Sequence, residues 1–167
     1  VMAALAGGSK KLKFGMNVAS MGLRDPVLTA KACATIDVLS GGRLLPAFGV
    51  GSALSRDFIA TGRDTKGRGK RTEESLQIMS ALWREDSVNF QGDYYQLIDA
   101  TISPKPVQSP MPLWVGGSAP QAIARTARWG TGWQAGIESA AEIKPVIEAI
   151  KISAGELGRK IDDDHFG

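Results

Sequence analysis

The order of local patterns constrains this chain more than any single motif. Residues 12–19, LKFGMNVA, alternate Leu12, Phe14, Met16 and Val18 against smaller or polar neighbours, the two-residue period of a strand. Asp25-Pro26 supplies a helix N-cap and a proline at the first helical position, and the helix runs through Leu28, Ala32, Ile36 and Leu39 to Gly41-Gly42. A second strand is expected at about 44–50, LLPAFGV, with Pro46 an awkward member because it donates no ladder hydrogen bond. A loop over 51–71 precedes a helix predicted from Thr72, with Glu73 and Glu74 in its first turn and an apolar stripe of Leu76, Met79 and Trp83. Residues 87–98 read as a hairpin turning at Gly92-Asp93, and the proline-rich stretch 103–112 reads as extended connection. A strand at 113–115 follows, then a helix capped by Ser118 that runs to about Trp129 with Pro120 in its first turn. A strand at 132–136 and a helix opened by the capping box of Ser139 and Glu142 complete the series.

Strands alternating with helices imply parallel pairing through crossover connections, hence the α/β class. About four main strands fit either a small open sheet or part of a (β/α)8 barrel.

The 167 residues suffice for a single domain over 1–167, and 43% hydrophobic with 22% charged residues is ordinary for a soluble globular chain. No apolar run is long enough to span a bilayer, the N-terminus lacks a signal peptide's layout, and VMAALAGG reads as the tail of a core helix. No membrane partner is expected. One cysteine, Cys33, excludes an internal disulfide and fits a reducing, cytoplasmic compartment; its apolar neighbours make it a packing residue. The net charge of +3 is scattered among both signs, which argues against a nucleic-acid partner. Lys66, Arg68, Lys70 and Arg71 are expected on a solvated loop. The single histidine, His165, lies beside Asp162, Asp163 and Asp164 near the end, where a solvated, frayed terminus is expected and no metal site. That placement leaves no Ser-His-Asp or Cys-His arrangement.

In parallel α/β folds, function collects at the carboxyl ends of strands. Small residues mark three such ends here: 17–20, 49–52, and Gly116-Gly117-Ser118 ahead of a helix. The third can serve as an anion cradle, where glycine lets N–H groups converge and the helix end adds positive potential, or as a βα turn shaped for geometry alone. Gly49-x-Gly51 lacks the third glycine of a dinucleotide fingerprint. Arg43, after Gly41-Gly42, reads either as a phosphate fork or as a cation at a helix C-terminus. Trp114, Trp129 and Trp133 serve either as walls for a planar ring or as core.

Six segments in order resemble the bacterial luciferase-like monooxygenase superfamily, which includes deazaflavin-dependent oxidoreductases. They are IDVLSGGRL (36–44), FGVGS (48–52), RGKRTEESLQIMSALW (68–83), FQGDYYQL (90–97), PKPVQSPMPLWVGGS (104–118) and ARTARWGTGW (124–133). The closing GRKIDDDHFG resembles the deazaflavin branch more than the FMN branch. The resemblance implies a (β/α)8 barrel of which this chain carries about strands three to six, and a flavin-type cofactor, coenzyme F420 favoured and FMN the alternative. Hydride transfer to or from a small organic substrate is implied with F420, monooxygenation with FMN.

By the same resemblance the cofactor phosphate lies at Gly116, Gly117 and Ser118 with Arg43 nearby. The ring rests on the bulge at Asn17, Ala19 and Ser20, with a non-prolyl cis peptide expected at Ala19-Ser20. No proton donor or base is assigned, because the loop after the second strand offers only Asp57. Half a barrel exposes parallel edges, so a partial record of a larger protein, a natural truncation, or association that covers the edges is expected, the last as a homo-oligomer. A non-catalytic relative acting as an oligomerising or binding module is the reading from another class.

Overall fold

Pro46 interrupts the strand predicted over 44–50, as a residue without an N–H must. In the computed structural model, which describes residues 1–167, the chain opens with α1 (Met2–Gly8), β1 (Phe14–Gly15), β2 (Ala19–Ser20) and α2 (Pro26–Ser40). It continues with β3 (Leu44–Leu45), β4 (Ala47–Gly49), α3 (Arg56–Ala60), α4 (Arg68–Arg84), β5 (Val88–Gln91) and β6 (Gln96–Ala100). The last elements are β7 (Trp114–Gly116), α5 (Pro120–Trp129), β8 (Gly132–Gln134) and α6 (Ala140–Glu156). The chain divides into two units: Val1–Gly15, Ser20–Leu44 and Val50–Met111 form the first, and Met16–Ala19, Leu45–Gly49 and Pro112–Gly167 the second.

Helices dominate the first unit. The Asp25 carboxylate accepts the Leu28 N–H at 2.9 Å to open α2, and Gly41 at φ 64° closes it. Helix α4 packs on α2, burying Leu76, Met79 and Leu82, and the Trp83 indole donates to the Ala30 carbonyl at 3.0 Å. Each such buried side chain stabilises the fold by about 1.5–3 kcal/mol. Cys33 is buried on α2, as expected. Asp37, also buried there, accepts the backbone N–H groups of Val107 and Gln108 and the Gln108 side-chain amide at 2.9, 3.0 and 2.6 Å. One carboxylate thereby anchors the extended proline-rich segment. The predicted hairpin forms from β5 and β6, and its turn is held by Glu74, whose carboxylate accepts from the N–H groups of Asp93, Tyr94 and Tyr95.

The second unit is built on a sheet of order β2-β4-β7-β8, in which β4, β7 and β8 run parallel with Phe48 opposite Val115 and Val115 opposite Trp133. Helices α5 and α6 pack together, and Ala127, Trp133, Ile150, Ala154 and Ile161 form the core of this unit. Helix α6 starts as its sequence directs, with the Ser139 N–H donating to the Glu142 carboxylate at 2.7 Å.

Several expectations are corrected. The stretch 12–19 is two strands in different sheets, β1 beside β3 and β2 beside β4, because residues 16–18 leave the extended path between them. The loop 51–71 contains α3, and α4 begins at Arg68 behind Gly67 at φ 70°, so Glu73 and Glu74 fall outside its first turn. Arg68 and Arg71 are tied down rather than merely solvated: Arg68 Nε donates to the Gly51 carbonyl at 3.1 Å and Arg71 to the Asp64 carbonyl at 3.2 Å. The C-terminus is paired rather than frayed. The Gly167 N–H donates to the Trp133 carbonyl at 3.0 Å, the Ala135 N–H to the Gly167 carbonyl at 2.6 Å, and a His165 ring nitrogen lies 2.8 Å from the Thr131 carbonyl. No helix is long and apolar enough to cross a membrane.

Candidate functional site

In the second unit, the carboxyl ends of β4 and β7 are both shaped by one side chain. A Cβ on Gly49 would stand 2.8 Å from Val18 Cγ2, and a Cβ on Gly116 would stand 2.8 Å from Val18 Cγ1. Glycine at these strand ends is therefore a packing requirement set by Val18. The peptide joining Val18 to Asn17 is cis. This corrects the expected position at Ala19-Ser20, where the backbone is already committed to the extended strand β2. Asn17 is exposed beside this bond and Ala19 is half-buried. Ser20 belongs to the first unit, its Oγ 3.0 Å from where a Cβ on Gly51 would lie.

Gly117 has a different reason to be glycine. Its φ of 106° is one that L side chains rarely adopt, while the nearest atom to a Cβ there would be Ala122 Cβ at 3.3 Å. Its carbonyl accepts the Trp133 indole N–H at 2.9 Å. A trans peptide directs its N–H opposite its carbonyl, so the Ser118 N–H points away from the Trp133 core. Two residues on, α5 opens at Pro120 with Ala119 as N-cap and no capping side chain. Ser118 is thus not the cap that its sequence suggested, and the positive end of a ten-residue helix is left without a side-chain acceptor.

In the loop after β8, the Gly136 N–H donates to Glu138 Oε2 at 2.7 Å. The Ser118 side chain first, and then the Gly136 N–H, lower the pKa of the Glu138 carboxyl from its ordinary value.

The luciferase-like monooxygenase family model matches residues 1–166. The chain belongs to that family. Within it, the F420-dependent glucose-6-phosphate dehydrogenase of Amycolatopsis mediterranei (strain U-32) is 36% identical over 136 residues, covering 79% of this chain and 40% of that protein. The monooxygenase RslO1 from Streptomyces bottropensis superposes with a TM-score of 0.88 at 21% identity, over 99% of this chain and 51% of that one. An F420-dependent secondary alcohol dehydrogenase, solved with an F420–acetone adduct, superposes with a TM-score of 0.86 at 26% identity, over 99% of this chain and 50% of that one. The fold is accordingly the luciferase-like barrel type, and this chain spans 40–51% of the three relatives named.

Arg43, offered by the sequence as a phosphate fork, is a clamp within the first unit of this luciferase-like chain. Its Nε donates to the Ser40 carbonyl at 2.7 Å, and Nη1 to the Leu12 carbonyl at 2.8 Å and Ser9 Oγ at 3.4 Å. Nη2 donates to the Ala6 and Ser9 carbonyls, each at 2.9 Å. A guanidinium has five N–H donors, and all are taken, which removes it from anion binding. Of the three tryptophans, Trp133 lies in the core, Trp114 is buried with its ring 6.0 Å from that of His165, and Trp129 is half-buried. Asp57 is exposed on α3 and accepts the Ser55 hydroxyl at 3.1 Å.

Three residues that shape the turn escaped sequence reasoning. Val18 looked like one apolar position of a strand, Trp133 like a ring wall or core, and Glu138 carried no motif. For Trp133 a signal existed: an indole N–H needs an acceptor when buried, and a glycine-rich turn offers bare carbonyls.

Proposed function

We propose that this chain is the cofactor-binding portion of a deazaflavin-dependent oxidoreductase, holding coenzyme F420 for hydride transfer to or from a small organic substrate. The observation that carries the reading is the Gly117 peptide. With its carbonyl fixed on Trp133, the next N–H faces outward beside the Ser118 hydroxyl and the uncapped end of α5. The named dependence of the 36% identical relative on F420 supports the choice of cofactor.

The residues present fit such a group. Gly117 leaves the backbone bare where a phosphate oxygen must approach. Gly116, Gly117 and Ser118 hold the phosphate, while Asn17, Val18 and Ala19 form the platform for the ring. F420 supplies the hydride-accepting and hydride-donating ring when bound. The chain's own residues bind and orient it, and the backbone donors, fixed before binding, need no reorganisation. A homo-oligomer in the cytoplasm belongs to the same proposal: association covers the end strands of the sheet, and the buried Cys33 is compatible with a reducing compartment.

Titration of the purified chain with F420 and, separately, FMN, followed by fluorescence, tests this. Saturable binding of F420, weakened about tenfold or more by Gly117→Ala in a variant of unchanged circular dichroism, is expected. Absence of saturable binding of either cofactor to the folded chain overturns the proposal. Light scattering on the same sample reports the oligomer.

A further inference from the structure

The hairpin of β5 and β6 is a sheet of two strands, an arrangement with little stability of its own. Its ladder slips register between Val88 and Phe90, and Asp99 sits at φ 47°, where residues other than glycine are uncommon. Within the two strands only Val88 is fully buried, while Asn89, Gln91, Gln96, Ile98 and Asp99 are exposed. The base of this excursion is nevertheless fixed. Lys105 Nζ donates to the carbonyls of Leu82 and Glu85, which ties the chain after β6 to the end of α4.

The tip is held by one carboxylate. Glu74 Oε1 accepts the Asp93 N–H at 2.8 Å, and Oε2 accepts those of Tyr94 and Tyr95 at 3.0 and 3.2 Å. The fit leaves no slack, because a Cβ on Gly92 would stand 2.4 Å from Oε2. The Arg71 guanidinium, 5.1 Å from the centre of the Tyr94 ring, adds a weaker contact. One group opposes docking: the Tyr95 hydroxyl is buried with no hydrogen-bond partner, and water satisfies it once the tip lifts. From this balance we infer that the β5–β6 hairpin is a strap that opens as a unit about its Lys105-clamped base, with Glu74 as the latch. Trp83, near the other end of α4, ties that helix to the Ala30 carbonyl of α2, so the helix pair stays packed when the strap opens. The device is independent of cofactor binding.

Native-state amide hydrogen exchange on the purified chain tests this, comparing wild type with Glu74→Gln and Gly92→Ala. The first variant removes the latch's charge; the second keeps Glu74 and denies it its place, and it serves alone should the first fail to fold. In wild type, the ladder amides of β5 and β6 are expected to exchange faster than those of α2. Both variants should speed exchange across the whole hairpin by about tenfold or more while α2 changes by less than about twofold. Equal acceleration in hairpin and α2 would mean global unfolding and overturns the strap. Acceleration confined to residues 93–95 would mean lost hydrogen bonds without opening, and it overturns the strap as well. Unchanged exchange in the hairpin removes Glu74 as the latch and the proposal with it.

Discussion

The Cγ1 methyl of Val18 lies 2.8 Å from the place where a β-carbon on Gly116 would have to stand. That separation is shorter than real Cβ atoms show, and the intruding group is a stiff β-branched side chain beside the cis peptide Asn17-Val18. Gly116→Ala is expected to destabilise the fold by about 1–3 kcal/mol, the usual cost of overpacking. Adding Val18→Ala makes the space, so the double variant should recover about 1 kcal/mol or more relative to additivity. A urea-denaturation double-mutant cycle measures the coupling, and strict additivity refutes the packing explanation.

Trp133 links the hydrophobic core of the second unit to the glycine turn through its 2.9 Å hydrogen bond to the Gly117 carbonyl. Trp133→Phe retains most of the apolar volume but removes the donor. A loss of about 1–3 kcal/mol is expected from the unpaired carbonyl and the smaller ring. F420 binding should weaken as well, because the Gly117-Ser118 peptide is no longer fixed. Unchanged affinity in a folded variant separates the indole from the cradle.

Arg43 should matter for stability and not for cofactor binding. Arg43→Lys leaves three donors for carbonyls that five N–H groups now serve, and it loses the guanidinium contact with the Phe14 ring at 5.6 Å. The variant should lower stability by about 2 kcal/mol with F420 affinity within about twofold of wild type. A stable variant with much weaker binding returns Arg43 to the phosphate.

Burial pushes the Cys33 thiol up from 9.0 to about 12, against a smaller opposing influence of Arg24. The folded chain therefore retains this proton where the unfolded chain releases it. The contribution to stability is complete below the unfolded value near 9 and drains away as pH rises toward about 12. A thiol reagent at pH 8 should label Cys33 only on unfolding, and Cys33→Ala should flatten the alkaline loss of stability; rapid labelling of the native chain contradicts the burial.

The sequence by itself determined what is coded within a few residues. Asp25, Pro26 and Gly41 bound α2, Ser139 and Glu142 start α6, Gly92-Asp93 turns the hairpin, and the strand–helix order implied a parallel sheet. Those features depend on local capping, backbone preference and periodicity. Tertiary structure decided the rest, because each remaining question concerned a partner distant in the chain. It placed the cis bond at Asn17-Val18, gave Gly49 and Gly116 a common neighbour in Val18, and spent Arg43 on carbonyls at the end of α1 and just after it. It also showed that Ser118 does not cap α5, and that Trp133 holds the Gly117 carbonyl. A glycine-rich turn is legible in sequence as a place with no side chains; the direction of its N–H groups depends on which distant residue takes its carbonyl.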